Sequence, residues 1–138
     1  MQTEWKRGEY SISSDPKRID IRVVHGFLTT SYWAHNISEE VVRRSIEHSF
    51  CFGVYHEGTQ VGFARVVTDR ATFAYLADVF IIEQYRGRGL GQWLINTIVT
   101  HPELSGLRRW LLVTRDAHDL YRKCGFSELR NPERFMER

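Results

Sequence analysis

The sequence predicts an α/β fold: a mixed, mainly antiparallel sheet with one parallel crossover pair and helices on both faces. Three observations predict it. Residues 50–82 hold three runs rich in β-branched and aromatic residues, separated by short turns, as in an antiparallel meander. Amphipathic helical patterns lie before and after that meander. The order strand 72–82, helix 90–100, strand 110–114 is a crossover unit, which makes those two strands parallel. A chain of 138 residues suits one domain, residues 1–138, with one proper core.

The elements follow in order. YSIS at 10–13 alternates like a short strand. Asp15-Pro16 supplies a helix cap followed by proline in the first turn, and Ile19, Val23 and Phe27, with Val24 and Leu28 beside them, mark one face of a helix ending near Ser31. Ser38 caps a second helix, with Glu39 and Glu40 in its favourable first turn and Ile37 and Val42 at staple positions. The meander is FCFGVYH (50–56), the turn Glu57-Gly58, QVGFARVVT (60–68), a turn near residues 69–71, and TFAYLADVFII (72–82). That last run is apolar on both faces, as a strand buried on both sides would be. Leu90, Leu94 and Ile98 recur at four-residue spacing on the next helix. WLLVT (110–114) reads as a strand, and a short helix runs from about Ala117 to Cys124, where Gly125 is placed to end it.

Composition excludes several classes. Hydrophobic content of 42% and charged content of 26% describe an ordinary globular protein. The net charge of +2, from 19 basic and 17 acidic residues, is too balanced to imply a nucleic-acid or membrane partner. Cys51 and Cys124 have no metal-type spacing and read as reduced thiols. With no signal-like or membrane-length apolar run, the expected location is cytoplasmic.

The stretch EQYRGRGLGQWL (83–94) poses the functional question. It sets Gly87, Gly89 and Gly91 between a strand and a helix N-terminus, a place where unpaired N–H groups attract anions. Spacing excludes two familiar phosphate loops. A G-x-G-x-x-G pattern from Gly87 would need glycine where Gln92 stands, and no Walker motif occurs. What remains is Gln84-Tyr85-Arg86-Gly87-Arg88-Gly89, a Q-x-x-G-x-G pattern. Downstream stands Ala117-His118-Asp119-Leu120-Tyr121-Arg122-Lys123-Cys124-Gly125-Phe126, close to A-x-x-L-Y-x-K-x-G-F. On these two motifs and the element order, the sequence resembles the GNAT family of N-acetyltransferases over nearly its whole length. Two positions depart from the family pattern. Thr114 stands where asparagine is often found, and Ala77 where many members carry glutamate.

The resemblance implies direct acetyl transfer from acetyl-CoA to a primary amine in a ternary complex, without a metal. Backbone amides of residues 86–91 (Arg86, Gly87, Arg88, Gly89, Leu90 and Gly91) would hold the pyrophosphate, and those around Phe80 and Ile81 would polarise the acetyl carbonyl. An alkylamine is neutral in only about one molecule per two thousand at pH 7, so the site must also move protons. Tyr121 lies on an i, i+3, i+4, i+7 stripe with Ala117, Leu120 and Cys124. By periodicity it is a core aromatic; by resemblance it is the acid that protonates the leaving thiolate. Asp78 is a carboxylate in an apolar strand and needs a partner. If Arg70 and Ala71 form a two-residue turn, Arg65 lies opposite Leu76, diagonal to Asp78 and on its face. Asp78 is therefore either an ion-pair anchor or a substrate-facing base. Tyr32 and Trp33, with His35, either wall the acceptor or pack the helix junction. The expected acceptor is a small-molecule amine. Protein lysine or N-terminal amines, a tRNA-borne acceptor and a non-catalytic acyl-CoA sensor are the alternatives, and a homodimer is compatible with each.

Overall fold

The structure, a computed structural model, describes residues 2–138. Six strands form one sheet whose spatial order follows the chain: β1 (Glu4–Arg7), β2 (Tyr10–Ser13), β3 (Phe50–His56), β4 (Thr59–Thr68), β5 (Phe73–Ile81) and β6 (Arg109–Leu111). Neighbours are antiparallel except β5 and β6, which run parallel, as the crossover predicts. Helices α1 (Ile21–Leu28) and α2 (Glu39–Glu47) cover one face, where Val24, Leu28 and Val42 pack with Phe63 and Phe80. Helices α3 (Leu90–Val99) and α4 (His118–Lys123) cover the other. There Leu90, Leu94, Ile95 and Ile98 meet Phe52, Val54 and Leu76. Each such buried aliphatic side chain contributes about 1.5–3 kcal/mol by leaving water.

The meander matches its expected limits closely because its turns are strongly encoded. Glu57 and Gly58 both have positive φ, 48° and 87°, as the tight hairpin between His56 and Thr59 requires. Ser38 caps α2 by accepting from the Val41 N–H.

Three expectations are corrected, and one strand is added. The first helix does not run from Pro16 to Ser31. Asp15 caps a single 3-10 turn, Pro16–Arg18, the chain extends at Ile19, and Asp20 caps α1 anew. Tertiary contacts impose the break. The Asp20 N–H donates to Gln60 Oε1 at 2.7 Å, and the Tyr55 hydroxyl donates to the Arg18 carbonyl at 2.8 Å. Strand β1 carries one large apolar residue, Trp5, and so gave no strand signal. It forms because β2 offers a partner and Trp5 packs on Phe52 and His101. Strand β6 stops at Leu111 instead of Thr114, for a reason that belongs to the site. The β4–β5 register is also one residue from expectation: Arg65 opposes Ala77, not Leu76. Asp69 causes this by caging the turn. Its carboxylate accepts from the backbone N–H and hydroxyl of Thr72 and from the N–H groups of Ala71 and Phe73, which holds its pKa below the usual carboxylate range.

Candidate active site

Strands β5 and β6 pair only from Phe73–Arg109 to Tyr75–Leu111. Beyond Tyr75, β5 continues to Ile81 with no strand on that side, and residues 112–117 diverge towards α4. The parting opens a cleft in the sheet. Along it, β5 carries a bulge: Phe63 opposes Phe80 and Arg65 opposes Ala77, so Asp78 and Val79 together face the single residue Ala64. Asp78 itself has φ 55°, a left-handed conformation inside a strand. Such strain costs about 1–3 kcal/mol and persists only where the surroundings enforce it.

The surroundings are side chains from three other elements. Arg65 Nε donates to Asp78 Oδ2 at 2.8 Å, and Trp33 Nε1 donates to Asp78 Oδ1 at 2.9 Å. Arg65 Nη1 also reaches Ser49 Oγ at 3.1 Å. The bulge explains why the ion pair forms despite the shifted register, since the extra residue brings the carboxylate back to the Arg65 face. Trp33, Arg65 and Asp78, with Tyr32, Tyr75 and Thr114, line a cavity of about 320 Å³.

A second cavity of about 570 Å³ lies on the other side, lined by Phe80, Ile81, residues 85–87 and 89–92, and Leu120. Its floor is backbone. Gly87 and Gly89 have φ of 78° and 77°, and a Cβ on either would meet no protein atom within 4 Å. Gly89 is the N-cap of α3, and the first intrahelical bond runs from the Trp93 N–H to the Gly89 carbonyl. The N–H groups of Leu90, Gly91 and Gln92 are therefore free of helical partners. Arg86 Nε closes the loop onto the Ile81 carbonyl at 2.8 Å. Phe27 stacks on Phe80, with centroids 4.0 Å apart, and backs the wall from α1.

The two cavities share Tyr32, Trp33, Val79, Asp116, Ala117 and Tyr121. The Tyr121 ring packs on the core edge-to-face with Phe126. No hydrogen bond is made by its hydroxyl among the described residues, although no fully buried polar side-chain atom there lacks a partner. Burial pushes its pKa up to about 12, with Tyr32 and Cys124 adding to the shift, so at neutral pH it is a proton donor. Tyr32 spans the cleft. Its hydroxyl accepts from the Arg115 N–H at 3.1 Å, and the Arg115 guanidinium lies 3.7 Å from its ring centroid.

A strand bulge, a glycine-lined helix N-terminus and a tyrosine where two cavities meet form a coherent arrangement for acyl transfer. A model of the acetyltransferase (GNAT) family matches residues 20–126. The chain belongs to the GNAT acetyltransferase family. A Gibberella zeae protein provisionally named an acetyltransferase is 30% identical across 86% of this chain and 79% of its own length. The crystal structure of a protein from Xanthomonas campestris pv. campestris, provisionally assigned to the same family, is 45% identical. It superposes with a TM-score of 0.91 over 94% of this chain and 92% of that one. A Clostridium acetobutylicum structure with acetyl-CoA shares the fold at 13% identity, with a TM-score of 0.66 over 93% of each chain.

On this GNAT scaffold, most residues singled out from sequence converge on the cleft. Phe80, Ile81, Arg86, Gly87, Gly89, Leu90 and Gly91 line the larger cavity, Asp78 the smaller, and Tyr32, Trp33 and Tyr121 both. Arg88 does not line either; its guanidinium turns back towards the Tyr85 ring, 5.9 Å from the centroid. His35 is exposed and outside both cavities. His25 is structural, its Nε2 lying 3.0 Å from the Ile37 carbonyl. Thr114, in place of the usual asparagine, accepts from the Ala117 N–H at 3.1 Å and so shapes the entry to α4. Sequence reasoning missed Phe27, Thr30, Arg115 and Asp116. The last two sit in a loop between assigned elements, where no periodicity or spacing marks a residue.

Proposed function

We propose that this chain transfers the acetyl group of acetyl-CoA to a primary amine carried by a small molecule. The observation that carries the reading is the meeting of the two cavities at a Tyr121 hydroxyl without a protein partner. The larger cavity suits the donor. Its Cβ-free cradle and the unpaired N–H groups at the start of α3 fit a pyrophosphate, and acetyl-CoA supplies an acetyl group activated as a thioester. Phe80 and Ile81 lie along the wall where a carbonyl would be polarised by backbone amides. Tyr121 then donates its hydroxyl proton to the departing sulfur.

The smaller cavity suits the acceptor. Its volume is that of a small-molecule site, and Tyr32, Trp33 and Tyr75 give it aromatic walls. Of the two readings of Asp78, the geometry supports the anchor. Both carboxylate oxygens already accept from protein donors, Trp33 and Arg65, so the carboxylate is held in place as part of the wall. No helix among the described residues is long and apolar enough to cross a membrane, and two free thiols agree with a cytoplasmic setting. The deciding experiment is a screen of primary amines with acetyl-CoA, following free coenzyme A thiol and acetylated product. Tight acetyl-CoA binding without turnover on any amine would replace this reading with that of an acyl-CoA sensor.

A further inference from the structure

Acetyl transfer to an amine requires a group that takes the proton lost by the nitrogen, and Asp78 is already committed to Arg65 and Trp33. We propose that Asp116 is that group: its carboxylate draws the acceptor ammonium to the junction of the cavities and takes the proton as the new bond forms. This assignment rests on the amine-acetylation reading above.

Elimination leads to Asp116 first. Among the described residues, the lining of the two cavities holds no histidine, lysine, cysteine or glutamate, and two carboxylates, Asp78 and Asp116. The Tyr121 phenol, its pKa raised by burial, is protonated at neutral pH, and the Tyr32 hydroxyl is engaged with the Arg115 N–H. Position is the second argument. Asp78 lines the smaller cavity alone, whereas Asp116 lines both, beside Ala117 and Tyr121. The third is availability. Among the described residues the one charged partner of Asp116 is Arg115, at 3.5 Å, with both side chains about two-thirds exposed (64% and 65%). A pair so exposed is weak, and Arg115 also places its guanidinium over Tyr32. Asp116 can therefore turn to another cation. The loop that carries it is fixed at Ala117 by the Thr114 hydroxyl, so one loop and helix present both proton-transfer groups.

The protons balance. A carboxylate is far too weak a base to deprotonate a free alkylammonium. The bound ammonium therefore first releases one proton to solvent, since only the neutral amine can attack; as that nitrogen bonds to the acetyl carbon it becomes cationic again and far more acidic, and Asp116 takes this second proton. Tyr121 gives its hydroxyl proton to the sulfur as the carbon–sulfur bond breaks. The proton on Asp116 returns through solvent to the Tyr121 phenolate, and both groups are restored.

The test compares wild type, Asp116→Asn, Asp116→Ala and, as control, Asp119→Asn on the exposed side of α4. The probe acceptors are benzylamine, 1,4-diaminobutane and glycine amide. Asp116→Asn should lower kcat/KM by about thirtyfold or more, within the range of lost acid–base assistance, while the control stays within about twofold. Formate should restore Asp116→Ala activity by about fivefold or more, which a merely structural role would not allow. Calorimetry should show acetyl-CoA affinity unchanged in every variant and weaker binding of 1,4-diaminobutane to Asp116→Asn. An Asp116→Asn enzyme with more than about a third of wild-type kcat/KM overturns the assignment and leaves amine acetylation standing. So does a loss that formate fails to rescue. A wild type inert towards every amine, the probes and a wider screen included, removes the acetylation reading and the role of Asp116 with it.

Discussion

The two walls of the cleft are built from different materials. The wall proposed for the donor presents bare backbone: positive-φ glycines, free helix N–H groups and the edge of β5. The acceptor wall is side chain upon side chain, with Trp33, Asp78 and Arg65 joined in one hydrogen-bonded row, drawn from separate segments and backed by Ser49. A backbone wall suits a ligand whose recognised part never changes. A side-chain wall can be re-cut for a new acceptor, but each member depends on the others to stay ionised and ordered. The consequence is that damage to the first wall should appear in donor affinity, and damage to the second in stability or acceptor turnover.

The largest expected effect falls where the walls meet. Tyr121→Phe keeps the ring on Phe126 and the core, so folding and acetyl-CoA affinity should barely change. Turnover with an identified amine should fall by about 10²–10⁴ at pH 7. The pH profile sharpens this. Because the folded-state pKa is raised to about 12, the fold favours the protonated phenol. The stability it contributes is full below the unfolded value near 10 and is lost as pH rises through about 12. The wild-type rate should accordingly show no alkaline limb from this group up to about pH 10. A fall with an apparent pKa near 9 would give the donor role to another residue.

Asp78→Asn tests the acceptor wall next. Asparagine tolerates the left-handed backbone at this position, so the substitution removes charge without adding strain. It leaves the Arg65 guanidinium, 20% exposed, without its counter-charge. The expected loss is about 2 kcal/mol, between the values for exposed and fully buried pairs, read as a lower denaturation midpoint with unchanged slope. A variant of normal stability that loses turnover would instead make Asp78 the base.

The same contrast explains what the sequence made legible. The donor wall follows from a contiguous run, 84–91, whose spacing alone excludes other phosphate loops. Tyr121 was visible because it sits in a second contiguous motif. The acceptor wall is assembled by tertiary structure from residues 33, 49, 65 and 78, and no local pattern announces it. The Arg65–Asp78 pair was anticipated through a register off by one residue, and the bulge at Asp78 made up the difference. The register depends on the Asp69 turn, whose cage of four hydrogen bonds is specific to its folded geometry. The break at Ile19 escaped for the same reason: Gln60 and Tyr55, far along the chain, impose it.

Within the donor wall, Gly89→Val should weaken acetyl-CoA binding about tenfold or more, roughly 1.4 kcal/mol. Two causes act together. The added side chain enters the open cradle, and a β-branched residue resists φ 77°. Calorimetry on the folded variant gives the affinity, and a thermal melt gives the strain. Unchanged affinity would end the loop's assignment to the pyrophosphate.

The smallest effect is the most discriminating, because the sequence sets all three glycines in one stretch, 87–91, with nothing to separate their roles. Gly91 does not share the conformation of Gly87 and Gly89, for it lacks positive φ and lies within α3. A Cβ there would point into the protein, 3.7 Å from Leu120 Cδ2 and 3.9 Å from Ile81 Cγ1, which are ordinary packing distances. Nothing in the protein therefore demands glycine at 91. Gly91→Ala should leave acetyl-CoA affinity within about twofold, a change of about 0.4 kcal/mol. It should also stabilise the fold by up to about 0.5–1 kcal/mol, since alanine restricts the unfolded chain and favours the helix. Calorimetry and a denaturation curve read the two outcomes separately. If affinity drops tenfold while stability holds, the donor needs the backbone of Gly91 closer than the free cradle implies.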